Sequence, residues 1–312
     1  MNFFSAFDGI SAAAVALLPL GYKCVGVSEI DPHCIKLVNE KYNFRNYGNF
    51  SDWKSWGKIE ADMVIGGSPC TAFSHLGRRG GTSDPAGRLT LDFTNFICKN
   101  TPRYFLLENV PQILSIEQGR LFRWMLAKFT QRGYGVAWRI LNSRYFGVAQ
   151  SRRRVFAVGC LGDSTSAGKI LFEAETMPIP TMEIQRAGQE NTSTSAFGDY
   201  KNSRKQGRMD THAECHRERY RQNNTALGTL TCQLDSGIEQ VNLIVIDNNR
   251  PRYLTPLECE RLQGFPDGYT EGFSDTTRYK MIGNSMPVPV IRWIGDRILA
   301  TEQGATEWSK AG

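Results

Sequence analysis

The sequence lacks long apolar runs and paired cysteines, and both absences limit what the protein can be. No stretch approaches the ~18 apolar residues that a membrane-spanning helix needs. No basic segment precedes an apolar one at the start of the chain, so we expect no signal peptide. The eight cysteines are scattered without a Cys-x-x-Cys pair, which predicts reduced thiols in a cytosolic protein.

Positive charge is in modest excess, with 37 Lys and Arg against 31 Asp and Glu. The net charge of +6 permits a polyanionic partner without proving one. A hydrophobic content of 41% and a charged content of 22% are ordinary for a folded protein. The 312 residues leave room for one large and one smaller domain, or for two comparable ones.

Short apolar runs alternate with helical patterns as far as residue 160. This alternation predicts an α/β protein with a parallel, doubly wound sheet. The predicted strands are 2–6, 24–28, 63–65, 104–107, 136–142 and 155–158, the last two forming a pair. The predicted helices are 11–18, 32–42, 119–131 and 287–300.

The composition changes near Gly162, where a polar stretch rich in Thr, Gln, Asn and Arg begins. Long apolar runs are scarce from there to Asn249, and we expect order to resume at Tyr253. We therefore predict three parts: a first domain over 1–161, a separate module over 162–249, and a segment over 250–312 that returns to the first domain.

Cys70 follows the apolar run 63–65 in the stretch Gly-Gly-Ser-Pro-Cys-Thr-Ala-Phe-Ser. A thiol at the end of a buried strand, with Pro69 restraining the backbone before it, is a typical placement for an enzyme nucleophile. Free cysteine is also a common buried residue, so this window alone leaves both interpretations open.

The first predicted strand leads into the turn Phe7-Asp8-Gly9, and Glu29 follows the second strand. Ser11 is placed to cap the helix after the turn, whose N–H groups can face an anionic ligand. An acidic residue about 20 positions further on is placed to bind ribose hydroxyls. Because one glycine replaces Gly-x-Gly-x-x-Gly, a nucleoside such as S-adenosylmethionine fits better than a dinucleotide. The alternative is an ordinary turn with surface carboxylates.

Further segments complete an ordered series of motifs. In chain order the series is Phe7-x-Gly9, Pro69-Cys70-x-x-Phe-Ser, Glu108-Asn109-Val110, Gln150-x-Arg152-x-Arg154, the Arg-x-Leu-Thr block from Arg252, and Gly283-Asn284-Ser285. This series resembles the DNA cytosine-C5 methyltransferases of bacterial and phage type. The match runs from residue 3 to about 291 and leaves out only the polar stretch, which holds the variable target-recognition domain in that family.

The resemblance implies a fold and a reaction. The fold is a Rossmann-like, S-adenosylmethionine-dependent doubly wound sheet with a smaller, irregular target-recognition domain. The enzyme would transfer a methyl group to carbon 5 of a cytosine flipped out of duplex DNA, since the base cannot be reached within the duplex. Cys70 would add to carbon 6. Glu108 would hydrogen-bond N3 and the exocyclic amine, and donation to N3 needs a proton that a buried site favours. Arg152 and Arg154 would hold the flipped nucleotide and favour the thiolate.

The resemblance also implies binding residues. For the cofactor they are Phe7, Gly9, Ile10, Glu29, Ile30, Asn49, Phe50, Pro69, Asn284 and Ser285. For DNA they are Ser74, Arg78 and Arg79 in the loop after Cys70, and Lys201, Arg204, Lys205, Arg208, Arg217, Arg219, Arg221, Thr229 and Leu230 in the polar stretch. Basic and polar residues mixed in this way suit phosphate contacts combined with base reading. The alternative for the polar stretch is a disordered linker.

The chain departs from the family pattern at a few positions. Ser11 replaces the second glycine of the first motif, Asn49 stands where an aspartate is frequent, and Thr71 stands where glutamine is common. Asn49 can still accept from an adenine amine, or Asp52 can substitute for it, so we expect activity with altered cofactor affinity.

The sequence leaves several partners and functions open. We expect duplex DNA as substrate, a monomer, no membrane association and no metal, because His212, Cys215, His216 and Cys232 lack the spacing of a zinc site. A cognate restriction endonuclease stays open. The rival functions are an RNA cytosine methyltransferase, a dinucleotide-dependent oxidoreductase and an inactive DNA-binding regulator.

Overall fold

The computed structural model describes residues 1–69, 85–172, 243–247 and 250–304, all within one compact unit. Several predicted residues lie outside the described residues, and their assignments stay predictions. They are Cys70, the loop residues Ser74, Arg78 and Arg79, and every predicted DNA-binding residue from Lys201 to Leu230.

A six-stranded sheet forms the centre of the described unit. Its strands are β1 (Asn2–Ala6), β2 (Lys23–Ser28), β3 (Met63–Gly66), β4 (Tyr104–Asn109), β5 (Tyr134–Asn142) and β6 (Arg153–Leu161), in the order β2-β1-β3-β4-β6-β5. The first four strands pair in parallel, whereas β6 is antiparallel to both β4 and β5. The predicted α/β fold and the β5–β6 pair are confirmed, but the sheet is mixed. Two further strands, β7 (Leu243–Asp247) and β8 (Arg250–Tyr253), form an antiparallel pair of their own.

Helices cover the sheet. They are α1 (Ala12–Leu17), α2 (Pro32–Lys41), α3 (Pro85–Asn100), α4 (Arg120–Gln131), α5 (Ser164–Phe172), α6 (Pro256–Gln263), α7 (Asp275–Asn284) and α8 (Val288–Glu302). The four predicted helices are present with ends shifted by at most two residues. Asp31 caps α2 by accepting the His33 N–H, with Pro32 at its first position.

The predicted cap of α1 is wrong. Ser11 has a left-handed backbone (φ 58°) and makes no side-chain cap. Its hydroxyl donates instead to the carboxylate of Asp8. The carboxylate is buried, so it takes the hydroxyl that the helix terminus would otherwise use.

The core lies on both faces of the sheet because successive strand residues point to opposite sides. In β1, Phe3 belongs to the cluster that includes residues of α1, α5 and α8, whereas Phe4 belongs to the cluster that includes residues of α3 and α4. Strands buried on both faces read as continuous apolar runs, which is why the sequence located them. The helix α5, within the stretch predicted as a separate module, contacts β5 and β6. The domain boundaries stay a prediction.

Close packing across β4 and β6 gives a stability prediction. Gly159 lies opposite Phe105, whose ring is fully buried and 4.3 Å from that of Phe129, and a Cβ at position 159 would overlap the Phe105 ring. We expect Gly159→Ala to lower the free energy of unfolding in urea by about 1–3 kcal/mol. Gly168→Ala is the control, since its Cβ in α5 meets nothing within 4 Å. Equal stability of the two variants would contradict this packing.

Candidate active site

Strand direction brings the predicted site residues to one edge of the sheet. The parallel strands β1, β2, β3 and β4 end there, and the antiparallel β6 begins there. We call this the carboxyl edge. The residues that follow or end these strands include Phe7 and Gly9 after β1, Glu29 after β2, Pro69 after β3, Glu108 in β4, and Arg152 and Arg154 at the start of β6.

A buried ion pair joins two of the predicted catalytic residues. The Nε of Arg154 lies 3.1 Å from Oε1 of Glu108, and the two side chains are 14% and 10% exposed. Glu108 also lies against Gly67, where a Cβ would come within 2.8 Å of Oε2. A side chain at position 67 would therefore displace the carboxylate. The structure brings Glu108 and Arg154 together and places them beside the segment that leads to Cys70.

Buried hydrogen bonds hold the segment just before Cys70. The Nδ2 of Asn109 donates to the carbonyl (3.2 Å) and to the Oγ (3.1 Å) of Ser68, and the Ser68 Oγ lies 2.8 Å from the Oγ1 of Thr90. All three residues are at most 4% exposed. Sequence reasoning gave them no role. Asn109 stood inside a motif, but Thr90 lies in α3, which was not predicted.

Arg152 and Arg154 do not have a common environment, although the sequence assigned them one role. Arg152 is only 3% exposed, and its NH2 group donates to the carbonyl of Ser285 at 2.9 Å. Gln263 donates to the same carbonyl through Nε2 at 3.0 Å. Arg152 therefore contacts the Gly-Asn-Ser segment, predicted to bind cofactor, whereas Arg154 contacts Glu108.

Glu29 connects the turns after β1 and β2, away from the Glu108–Arg154 pair at β4 and β6. Its Oε2 accepts the Gly9 N–H at 2.7 Å, and its Oε1 accepts the N–H groups of Ile30 and Asp31 at 2.8 Å each. The carboxylate therefore joins the turn after β1 to the turn after β2. Ile30 is 66% exposed next to it, as a residue that covers a ligand would be.

The turn after β1 is tight and contains residues with positive φ. Phe7 (φ 54°) and Gly9 (φ 58°) both lie in the left-handed region, which favours glycine at position 9. Ile10 is fully buried, and its carbonyl accepts the hydroxyl of Tyr269 at 2.8 Å. The Ile10 side chain is therefore not accessible at the surface, and Tyr269 of the C-terminal segment fixes the Ile10 backbone.

Asn46 is a residue that sequence reasoning missed. Its Oδ1 accepts the N–H groups of Glu29 (3.1 Å) and Gly48 (3.0 Å), and its Nδ2 donates to the carbonyl of Glu29 at 3.0 Å. It holds the backbone of Glu29 from both sides. No motif surrounds it, so its role follows only from the parallel bridge between Asn46 and Val27.

The predicted adenine contacts differ in placement. Asn49 is exposed, but its Oδ1 accepts the Ser51 N–H at 3.0 Å and caps the short helix Phe50–Ser55. The same oxygen was expected to accept from adenine. Phe50 is 3% exposed, and its ring packs against that of Phe7 with the ring centres 4.5 Å apart.

The C-terminal segment reaches the same edge. Asn284 is exposed and Ser285 is 5% exposed at the end of α7. Lys280 in α7 forms an ion pair of 2.9 Å with Asp31, two residues beyond Glu29. The segment therefore contacts the loop that carries the predicted ribose-binding carboxylate.

Asp8 is the most perturbed carboxyl group at this edge. Burial raises its pKa to about 7, against a hydrogen bond from Ser11 that lowers it. Its Oδ1 has no hydrogen-bond partner among the described residues. The motif Phe7-x-Gly9 gives Asp8 no role, although a carboxylate in the turn Phe-Asp-Gly-Ile is visible in the sequence.

The described cysteines do not offer a nucleophile. Five are free thiols, and burial raises the pKa of Cys24, Cys160 and Cys259 to about 12. Burial also raises the pKa of Cys34 and Cys98. A thiol with a raised pKa is a poor source of thiolate. Cys70 lies outside the described residues, and its assignment as the nucleophile stays a prediction.

The part of the chain that the structure describes contains no cluster of three His, Cys, Asp or Glu side chains placed to hold a metal ion. Its helices are all too short or too polar to cross a membrane.

Comparison with known proteins gives a family. The model of the C-5 cytosine-specific DNA methylases matches residues 1–300. The type II methyltransferase M.HpaII of Haemophilus parainfluenzae is 31% identical over 96% of this chain and 89% of its own length. The type II methyltransferase M.DsaV of Dactylococcopsis salina is 28% identical over 96% of this chain and 86% of its own. The S. pombe Dnmt2 methyltransferase structure has a TM-score of 0.68 at 16% identity, covering 97% of this chain and 99% of its own.

The fold and the carboxyl-edge site define an α/β methyltransferase whose cofactor is S-adenosyl-L-methionine. The chain belongs to the C-5 cytosine-specific DNA methylases. The predicted family, fold class and cofactor are confirmed, and membership supports methylation of cytosine in DNA.

Asp8 gives a prediction of pH dependence. A carboxyl with a pKa near 7 in the folded protein and an ordinary value of 3.8 when unfolded keeps its proton only in the folded state between these values. Its contribution to stability is therefore lost as the pH rises through this window. The unmodified protein should lose stability to urea when the pH rises from 5 to 8. We expect a smaller loss for Asp8→Asn, because its side chain does not titrate but still accepts a hydrogen bond from Ser11. Identical losses would mean that Asp8 titrates normally.

Proposed function

We propose that the protein methylates carbon 5 of a flipped-out cytosine in a specific duplex DNA sequence, by covalent addition of Cys70 to carbon 6. The observation that carries this proposal is the Glu108–Arg154 pair, buried at the carboxyl edge beside the anchored segment that leads to Cys70. The relatives M.HpaII and M.DsaV are named type II methyltransferases. We propose the same kind of modification role for this chain, acting as a monomer, with a cognate restriction endonuclease as its counterpart.

The residues at the edge fit the cofactor. S-adenosyl-L-methionine supplies an electrophilic methyl group on a sulfonium centre. Oε1 of Glu29 already accepts two backbone N–H groups and Oε2 accepts only one, so Glu29 would accept from a ribose hydroxyl of the cofactor through Oε2. Ile30 and Phe7 would contact the adenine, and Asn49 would lie at its rim. Backbone groups of Gly9 and Ile10, with Pro69, Asn284 and Ser285, would line the remainder of the site.

The chain's own residues then act on the cytosine. The thiolate of Cys70 forms a bond to carbon 6, and the displaced electron pair makes carbon 5 nucleophilic. Glu108 hydrogen-bonds N3 and the exocyclic amine, which stabilises the charge that develops on the ring. After carbon 5 has gained the methyl group, a base removes its proton and the carbon–sulfur bond breaks. The products are 5-methylcytosine, S-adenosylhomocysteine and free Cys70, with the proton from carbon 5 on the base.

Arg154 holds Glu108 in place through the ion pair at 3.1 Å. Its guanidinium has five N–H donors, so it can bind the flipped nucleotide at the same time. Arg152 has a different part in this proposal. Its bond to the Ser285 carbonyl joins the start of β6 to the Gly-Asn-Ser segment. We infer that Arg152 positions the cofactor side of the site relative to the cytosine side.

The nucleophile is tested by trapping. Fluorine at carbon 5 of cytosine cannot leave as a proton, so the carbon–sulfur bond should persist once the methyl group has moved. We expect S-adenosylmethionine and a mixed-sequence duplex containing 5-fluorocytosine to give a denaturation-resistant adduct on gels. Cys70→Ser should abolish the adduct, whereas Cys24→Ser, a matched change at a thiol with a raised pKa, should keep it. An adduct that survives in Cys70→Ser would refute the assignment.

The role of Arg152 is tested by measuring the effect of its substitution on cofactor use and on DNA affinity separately. Removing a charged hydrogen bond costs about 1.5–3 kcal/mol, so Arg152→Met should raise the KM for S-adenosylmethionine roughly tenfold or more. Gln263→Met removes the other donor to the same carbonyl and should shift the same KM. The affinity for DNA should change little in both variants. A loss of DNA affinity confined to Arg152→Met would instead support direct contact with the nucleotide.

A further inference from the structure

One stretch of the chain carries charge of a single sign. Residues 118–162 contain nine basic residues and no acidic one, although the net charge of the whole chain is only +6. The basic residues are Arg120, Arg123, Lys128, Arg132, Arg139, Arg144, Arg152, Arg153 and Arg154. This stretch comprises α4, β5 and β6. Apart from Arg152 and Arg154, these basic residues are not among those that the sequence predicts to contact DNA.

The course of the chain divides these residues between two ends of the sheet. Tyr134, at the start of β5, lies opposite Leu161, and Asn142, at its end, lies opposite Arg153. The helix α4 connects the carboxyl end of β4 with the start of β5, so it runs back across the sheet. Arg120 and Arg123 therefore lie near the carboxyl edge, together with Arg144 and Arg153. Lys128 and Arg132 lie at the opposite end of α4.

Four of the arginines near the carboxyl edge are exposed, and we call them the edge arginines: Arg120, Arg123, Arg144 and Arg153. Within the part of the chain that the structure describes, none of them forms an ion pair with a carboxylate. Arg154 shows the contrast, since it is largely buried and paired with Glu108. Successive strand residues face opposite sides, so Arg153 faces away from Glu108.

Three of the four edge arginines have side chains held by local contacts. The Nε of Arg120 donates to the Glu117 carbonyl and the NH2 of Arg123 to the Gln118 carbonyl, at 3.2 Å each. The guanidinium of Arg144 lies 4.5 Å from the ring centre of Tyr145, which is 42% exposed. Each bond to a carbonyl uses one of the five donors of a guanidinium, and the others suit an anion with several oxygens.

We propose that the edge arginines bind phosphates of the DNA backbone next to the target cytosine and hold the duplex over the carboxyl edge. A cytosine that reaches Glu108 brings the phosphates of its neighbours to this edge. The edge arginines are exposed there and have no carboxylate partners among the described residues, so their positive charge is available to phosphates. A DNA duplex carries one negative charge per about 1.7 Å of its axis. These contacts would be independent of sequence, because phosphates carry no base information. The inference rests on the proposed function.

The test compares two double variants with equal loss of charge on one helix. Arg120→Ala with Arg123→Ala removes two edge arginines, and Lys128→Ala with Arg132→Ala removes two charges from the other end of α4. Fluorescence anisotropy would measure the binding of a mixed-sequence duplex over a range of salt concentrations. We expect the first variant to bind more weakly at every sequence and its log–log salt slope to fall by about two, at about 0.9 per phosphate. The second variant should behave like the unmodified protein.

Equal weakening in both variants would show an effect of net charge alone, and unchanged binding in both would place the duplex elsewhere. Either result overturns the proposal. Arg120→Lys with Arg123→Lys keeps the charge while weakening the bonds to the Glu117 and Gln118 carbonyls. Binding should be largely restored in this variant, and a failure to restore it would assign the effect to the local turn instead.

Two controls separate this inference from the proposed function. Cofactor binding measured by calorimetry should be the same in all variants, which shows that the site is folded. Bisulfite sequencing should detect methylated DNA after reaction with the unmodified protein. If that protein methylates no DNA, the proposed function fails. If it methylates DNA while the edge arginines make no difference to binding, only this inference fails.

Discussion

The parallel pairing of β1, β2, β3 and β4 is the constraint on which the site depends. Parallel strands must all end at one edge, so the turns after them meet there whatever their separation in the sequence. The reversal at β6 adds a second route to the same edge, because an antiparallel strand begins where its neighbours end. This is why Glu108 near the end of β4 and Arg154 at the start of β6 form an ion pair although 45 positions separate them.

The C-terminal segment completes the edge through backbone carbonyls. Tyr269 donates to the carbonyl of Ile10, and the carbonyl of Ser285 accepts from both Arg152 and Gln263. The segment itself is held by Glu260, which is fully buried and accepts from Thr270 and Arg278. Hydrogen bonds from Arg278 and Thr270 lower the pKa of Glu260 against the effect of burial. A buried charge with this many donors fixes a conformation, so the Gly-Asn-Ser segment meets the other turns in one arrangement.

Sequence reasoning reached the parts of this structure that depend on local pattern. Runs such as Met63–Gly66 are apolar on both faces, and that is a direct reading of a strand covered by helices on both sides. The motifs placed Glu108 and Glu29 at strand ends, where they lie. The partners of Asn46 and Arg152 were not predictable in the same way, because each contact joins segments whose approach is set by the tertiary fold. Ser11 shows the same limit, since a buried carboxylate competed successfully for its hydroxyl.

Three consecutive arginines at the start of β6 show how one short motif serves separate tasks. Arg154 points to one face of the sheet and meets Glu108, and Arg153 faces the opposite way and is exposed. Arg152 precedes the strand, is buried, and reaches the Ser285 carbonyl. The alternation of strand side chains makes the first two directions obligatory once β6 is paired. Three like charges that repel one another in the unfolded chain therefore have three different environments: a carboxylate, a carbonyl and the surface. The position of each arginine relative to the sheet, and not its residue type, decides what it contacts.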